Sequence, residues 1–172
     1  MSTTTTTQPR IYVACLASYV AGKLYGDWMD VDDVDALREQ IGWLLKSSPE
    51  PHAEEHAIHD HEGFGGYPIG EYEDIGKVCE LAGLIEEHGE VAGALAAHLG
   101  TVKDAAYALE EGAYEGEHAS DEDWAYAQYE SMGAELGELA TYIAWDQVAR
   151  DMRCGGCFSV DVDGSTHYVR GV

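Results

Sequence analysis

The sequence predicts an α+β chain of three small units in series: an N-terminal sheet with a helix, a central small helix bundle, and C-terminal helices with a β-hairpin or sheet. Three observations predict it. Short β-branched, apolar runs stand near the two ends, "IYVACL" at residues 11–16 and "FSVDV" at residues 158–162. Between them apolar residues recur every three or four positions, the period of a helix with one buried face. Glycines at 89, 100 and 112 close these helical stretches while they are still short, which favours small packed units over one large core. The expected boundaries are a low-complexity leader over residues 1–9, an N-terminal α+β domain over 10–70, a central helical domain over 71–112 and a C-terminal α+β domain over 113–172.

Each element has a local reason. "IYVACL" reads as a buried strand and "GDWMDV" as a second one. From residue 33 to 46, Val34, Leu37, Ile41, Leu44 and Leu45 share a helical face, with Asp32 and Asp33 where a cap and first turn favour acids. Pro49 and Pro51 then stop that helix. "HAIHDHEGF" reads as a strand entering the glycine-rich turn "GFGGYPIG", and regular alternation along it sets His56, Ile58 and Asp60 on one face and His59 and His61 on the other. Ile75, Val78, Ala82 and Ile85 mark the next helix, followed by "EVAGALAAHLG" and "TVKDAAYALEEG". Ser120 is placed to cap a helix starting at Asp121, and a further helical pattern runs from about Leu136 to Met152 with Leu139, Ile143 and Val148 inward. The chain closes on a hairpin turning at Asp163-Gly164.

The charge is the least ordinary feature. Thirty-three Asp and Glu face nine Lys and Arg, a formal net charge of −24 on 172 residues. Disorder does not follow, because 45% of the residues are hydrophobic and eleven tyrosines and four tryptophans supply material for cores. Between Glu50 and Glu138 there are 23 acids and two lysines. They are threaded through helical periodicity rather than gathered into a tail. The segment "EEGAYEGEHASDEDW", residues 110–124, carries seven carboxylates and no Lys or Arg. Favourable helix N-termini explain Asp121, Glu122 and Asp123, but not the whole excess. Acid-rich adaptation to high salt is an alternative, distinguishable because such a protein loses its fold in low salt.

Fixed carboxylates on a rigid surface resemble duplex DNA, which presents one negative charge per roughly 1.7 Å of axis. By that spacing, 24 charges correspond to about 40 Å of duplex. The expected partner is a protein with a basic DNA-gripping groove, bound in a strongly salt-dependent way.

Five blocks in unbroken order, "IYVACLASYVAGKLYGDWMD", "EEHAIHDHEGF", "EYEDIGKVCELAGLIE", "AYEGEHASDEDWAYA" and "YIAWDQVARDM…FSVDVDG", closely resemble the ArdA antirestriction proteins of plasmids and conjugative transposons. The resemblance implies an elongated homodimer of three-domain subunits, joined through the C-terminal domain, that imitates DNA and occupies the DNA site of type I restriction-modification enzymes, on their specificity and methyltransferase subunits. It implies a block of restriction, and of modification, of incoming DNA. Within those blocks it assigns the role of phosphate stand-ins to Asp27, Asp30, Glu54, Glu55, Asp60, Glu62, Glu71, Glu73, Asp74, Glu115, Asp121, Glu122 and Asp123. Glu86, Glu87, Glu110, Glu111 and Glu117 complete the expected acidic surface. Neither direct nucleic-acid binding nor membrane insertion is expected, and the location is expected to be cytoplasmic, since no apolar run reaches the roughly 20 residues of a span.

Two alternatives stand beside this reading. His52, His56, His59 and His61 together with Cys154 and Cys157 of "CGGC" raise a zinc-dependent hydrolase. That signal is weak: HExxH is absent, an isolated CxxC supplies half a zinc site, and Arg153 stands where the deaminase signature wants Pro. The other alternative is an acidic chaperone of basic DNA-binding proteins. No nucleophile elbow, P-loop or dinucleotide fingerprint occurs. The expectation is therefore a non-enzyme without cofactor or metal, whose Tyr107, Tyr114, Tyr126, Tyr129 and Tyr142 serve core and interface.

Overall fold

A computed structural model describes residues 8–171. The leader expected over residues 1–9 therefore lies, through residue 7, outside the described residues. The chain is mixed α/β and divides into two compact units, one ending at Val102 and the other beginning at Lys103.

The first unit is organised by strand β1 (Arg10–Cys15), which is central in an antiparallel sheet between β2 (Gly26–Asp30) and β3 (His56–Glu62). A short helix, α1 (Leu16–Val20), follows β1 directly. Ile11, Val13 and Cys15 share one face of β1 and are fully buried. Helix α2 (Val34–Lys46) packs over β1 and β2. Leu37 and Ile41 are buried, while Val34, Leu44 and Leu45 are half-buried. The start of α2 is fixed as expected: the Asp33 carboxylate accepts the backbone N–H groups of Asp35 and Ala36 at 3.0 and 2.9 Å. Helix α3 (Ile75–His88) packs on α2, and α4 (Val91–Leu99) on α3. Their cores are Val78, Leu81, Ile85 and Leu95.

Strand β3 corrects the regular alternation expected for the histidine-rich stretch. Val13 pairs with Ile58 and Tyr12 with Asp60, so His59 is an extra residue with no partner position on β1. This β-bulge resets the phase of the side chains. Directly paired residues share a face. His56, Ile58 and His61 thus lie on the face of Cys15, Val13 and Ile11, and Asp60 lies with Tyr12 on the other.

The glycine-rich turn after β3 is shaped by a close approach to α4. A Cβ at Gly93 would meet the Phe64 carbonyl, and one at Gly65 the Glu90 carbonyl, both well inside contact distance. Gly93 is buried beside the turn that seats Phe64, itself 2% exposed.

The second unit contains α5 (Val102–Glu110, shared by one residue with the first), β4 (Tyr114–His118), α6 (Asp121–Ser131), a 3-10 segment (Gly137–Tyr142), α7 (Trp145–Cys154), β5 (Phe158–Val162) and β6 (Ser165–Val169). The expected hairpin is present: β5 and β6 pair antiparallel around Asp163 (φ 50°) and Gly164 (φ 86°), the two left-handed positions of a type I′ turn. Strand β4 was not expected. It pairs with the other edge of β6, giving the order β4-β6-β5.

Ser120 caps α6, its hydroxyl accepting the Asp123 N–H at 3.1 Å. The single helix expected from Leu136 to Met152 is instead two pieces. Ile143 is extended (ψ 134°), and the Trp145 indole N–H donates to the Ala140 carbonyl at 2.9 Å across the break. Leu139 is 67% exposed, because the buried stripe begins at Trp145 and continues through Val148, Ala149 and Met152. That stripe packs with Trp124, Ala125, Tyr168 and Cys157. The Trp124 and Tyr168 rings stack 4.7 Å apart. Among the described residues no helix is long and apolar enough to cross a membrane.

Two glycine substitutions separate close approach from helix propensity. Gly93→Ala is expected to destabilise the protein by about 1–3 kcal/mol through overpacking. Gly83→Ala, in α3 with no atom within 4 Å of the new methyl, is expected to stabilise by about 0.5–1 kcal/mol. Chemical denaturation of both variants checks the pair.

Candidate acidic interface

Even with each of the nine Lys and Arg matched to a carboxylate of its own, 24 of the 33 acids have no cation to balance them. The structure distributes the cations sparingly. Arg10 stands at the sheet edge between two acids, its Nε 2.9 Å from Asp30 and its Nη1 3.5 Å from Glu62, while its guanidinium lies 5.6 Å above the Trp28 ring. One cation thus answers two anions. Lys23 pairs with Glu50 at 2.6 Å, and Lys77 sits 3.6 Å from Glu73.

All the predicted acidic residues except Glu73, Glu115 and Asp121 are exposed. In the first unit, Asp27 and Asp30 lie on β2, Glu54 and Glu55 on the approach to β3, Asp60 and Glu62 on β3, and Glu71, Glu73 and Asp74 on the approach to α3. Asp74 also caps α3, accepting the Lys77 N–H at 3.1 Å. Glu86 and Glu87 occupy the last turn of α3, and Glu110 ends α5 with Glu111 beside it. A helix C-terminus carries partial negative charge, so acids there cost roughly 0.3–1 kcal/mol each at an exposed site. Local helix stability therefore accounts for Asp74, Asp121, Glu122 and Asp123 and opposes Glu86, Glu87 and Glu110.

Glu115 and Asp121 have work inside the fold. Glu115 is held on β4 by the Trp124 indole N–H at 2.7 Å and Arg170 Nε at 3.1 Å, and its side chain is only 6% exposed. Asp121 accepts two bonds from Arg153, at 3.0 and 2.6 Å, and a third from the Tyr168 hydroxyl at 2.7 Å. Arg153 also donates to Ser159 at 3.1 Å. The hydrogen bonds from Arg153 hold the Asp121 carboxyl below the usual range, and Asp121 in turn raises the guanidinium. Burial first, then the bond to Asp121, push the Tyr168 phenol up to about 12. Glu117 accepts from the Ser165 hydroxyl at 2.6 Å. Arg153, Tyr168, Trp124 and Arg170 reach these acids across 9 to 55 positions of sequence, separations at which no local pattern marks them as partners.

The histidines are likewise engaged or dispersed. His61 Nε2 accepts the Ile69 N–H at 3.3 Å, and His59 packs edge-on against Tyr19 at 4.9 Å. Cys154 is exposed and Cys157 half-buried, both as free thiols in the second unit. Among the described residues no three His, Cys, Asp or Glu side chains gather as a metal-binding group.

The Asp121 cluster predicts a pH response with a definite sign. A depressed folded-state carboxyl contributes stability above its ordinary value near 3.8, lost as pH falls through the folded value. A raised phenol contributes stability that is complete below 10 and is lost as pH climbs toward about 12. Asp121→Asn is expected to cost about 1–2 kcal/mol near neutrality, the half-exposed pair being partly screened, and to flatten the acid limb of stability. Tyr168→Phe, which keeps the stack on Trp124, is expected to flatten the alkaline limb. Urea unfolding across pH measures both.

A comparison with curated proteins returns no match. The family model described as Antirestriction protein (ArdA) matches residues 11–166, nearly the whole chain. By that match the chain belongs to the ArdA antirestriction protein family.

Proposed function

We propose that this chain is a non-catalytic antirestriction protein that works as a DNA mimic. Its exposed carboxylates take the place of backbone phosphates in the DNA-binding site of a type I restriction-modification enzyme, on the specificity and methyltransferase subunits. Occupying that site prevents restriction, and modification, of incoming DNA. In this reading the segments 10–70, 71–112 and 113–172 each contribute charged surface, and a homodimer joined through the C-terminal segment doubles it. The protein itself does not bind nucleic acid, needs no cofactor and acts in the cytoplasm.

The observation that carries the reading, beside the family match, is the placement of exposed acids where local stability disfavours them. Glu86, Glu87 and Glu110 sit at negative helix ends, and in a chain of net charge −24 they add repulsion at long range as well. Groups that cost stability and have no chemistry of their own in place fit a surface used for electrostatic recognition. Binding by many such groups is driven by release of counterions from both partners, so it weakens as salt rises.

Competition against a labelled DNA duplex for a purified type I methyltransferase core is the test. The expected result is displacement of the duplex, with affinity falling steeply between about 50 and 200 mM salt. Displacement from a generic basic protein with equal affinity favours a chaperone role instead, and affinity indifferent to salt overturns the mimicry. Single neutralisations such as Glu86→Gln are expected to change affinity less than about threefold. The combined Glu86→Gln, Glu87→Gln, Glu110→Gln and Glu111→Gln variant is expected to lose much more and to have a shallower salt dependence.

A further inference from the structure

Phosphates offer a gripping protein charge and hydrogen-bond acceptors, but no apolar seat. The first unit of this chain has one among its acids. A cleft of about 590 Å³ is lined by Leu16, Tyr19 and Val20 from α1, by Glu54 and Glu55 from the approach to β3, and by Tyr72. Its apolar members are unusually open: Tyr19 is 56% exposed, Val20 85% and Tyr72 74%. Glu54 and Glu55 at its rim are exposed as well. The walls are fixed by the backbone rather than loosely draped. The Leu16 N–H donates to the Glu55 carbonyl at 3.0 Å, joining α1 to the opposite rim, and Tyr19 is braced edge-on by His59. His52, also on the lining, holds a left-handed backbone at φ 60°.

We propose that this cleft is a docking site for a cationic peptide segment of a protein partner, an arginine or lysine side chain flanked by apolar residues. Charge complementarity selects the occupant. Two neighbouring carboxylates at the rim repel an anionic surface, including another copy of this acidic chain, and attract a guanidinium or ammonium group. The tyrosine rings supply faces for a planar guanidinium, and Leu16 and Val20 supply the seat for an aliphatic stem or an adjacent apolar side chain. Exposed aromatics surrounded by a polar rim are the groups on which binding energy concentrates in protein interfaces.

The proposal rests on the reading that the partner is a protein that grips DNA, and it adds a different kind of contact. Rim carboxylates contribute salt-sensitive attraction, whereas burial of Tyr19, Val20 and Tyr72 against the segment persists when ions screen the charges. Partner affinity then splits into a steep electrostatic part spread over many acids and a salt-resistant part localised here.

The test uses the full chain and a five-residue peptide alternating arginine and leucine, followed by amide chemical shifts. The expected result is saturable shifts confined to residues 16–24, 52–59 and 70–73, with affinity reduced about tenfold in the double variant Tyr19→Ala, Tyr72→Ala. Tyr19→Phe with Tyr72→Phe is expected to bind as the parent does, since the ring faces remain; the exposure of both tyrosines lets either pair be changed without emptying a core. Oligolysine producing the same shifts, with the alanine pair binding both peptides unaltered, would overturn the proposal. So would self-association of the chain, or binding to anionic or neutral lipid vesicles, abolished by the alanine pair. Peptide binding does not depend on any restriction enzyme, so mimicry and docking site can fail separately.

Discussion

The scarcity of positive charge governs this structure more than any single contact. With nine cations for 33 acids, every Lys or Arg brought to a carboxylate is one that the remaining surface lacks. Arg10 bridges Asp30 and Glu62, and Arg153 is committed to Asp121. The fold must then hold together against its own field with small cores. It does so by placing the strongest polar contacts where they tie distant segments of one unit. Asp121 opens α6 and is clamped by α7 through Arg153 and by β6 through Tyr168, so one carboxylate fastens three elements around the Trp124 stack.

Acids here divide by what surrounds them rather than by where they fall in the sequence. The run from Glu110 to Trp124 reads as one uninterrupted block of negative charge, yet its members have unlike fates. Glu115 is almost enclosed between an indole and a guanidinium. Asp121 is saturated with donors, and Glu122 and Asp123 lie free on the first turn of α6. The dense stretch thus supplies both the mortar of the second unit and part of its charged exterior. A purely solvated acidic tail has no equivalent of the first role.

Much of the architecture was legible because it is written in local chemistry. Asp33 and Ser120 announce their helices through side chains that satisfy nearby N–H groups, and Asp163-Gly164 announces the turn through its demand for left-handed backbone. The exposed acids were legible for a similar reason: a carboxylate without a nearby cation belongs in water. Besides the bulge in β3, three features were not legible. Strand β4 has alternating glutamates and a glycine in place of a β-branched run, and it exists because β6 offers it an edge. The break near Ile143 follows from Trp145 docking on Trp124's layer, which no periodicity encodes. Apart from Trp124, the partners of Glu115 and Asp121 lie 32 to 55 positions further along the chain, and pairing across such separations is decided only when the unit assembles.

The extra residue at His59 bears on how such a chain evolves. An unbroken ladder would set Tyr12 against His59 and Ile11 against Asp60, driving a carboxylate into the layer beneath α2. The single-residue stagger instead turns Asp60 and Glu62 toward water and brings Glu62 opposite Arg10. The boundary between interior and charged exterior is therefore set along β3 by a backbone irregularity rather than by residue choice alone. Shortening or lengthening this strand by one position shifts the electrical pattern of the whole edge at a stroke, while exchanging one exposed acid for the other leaves it intact.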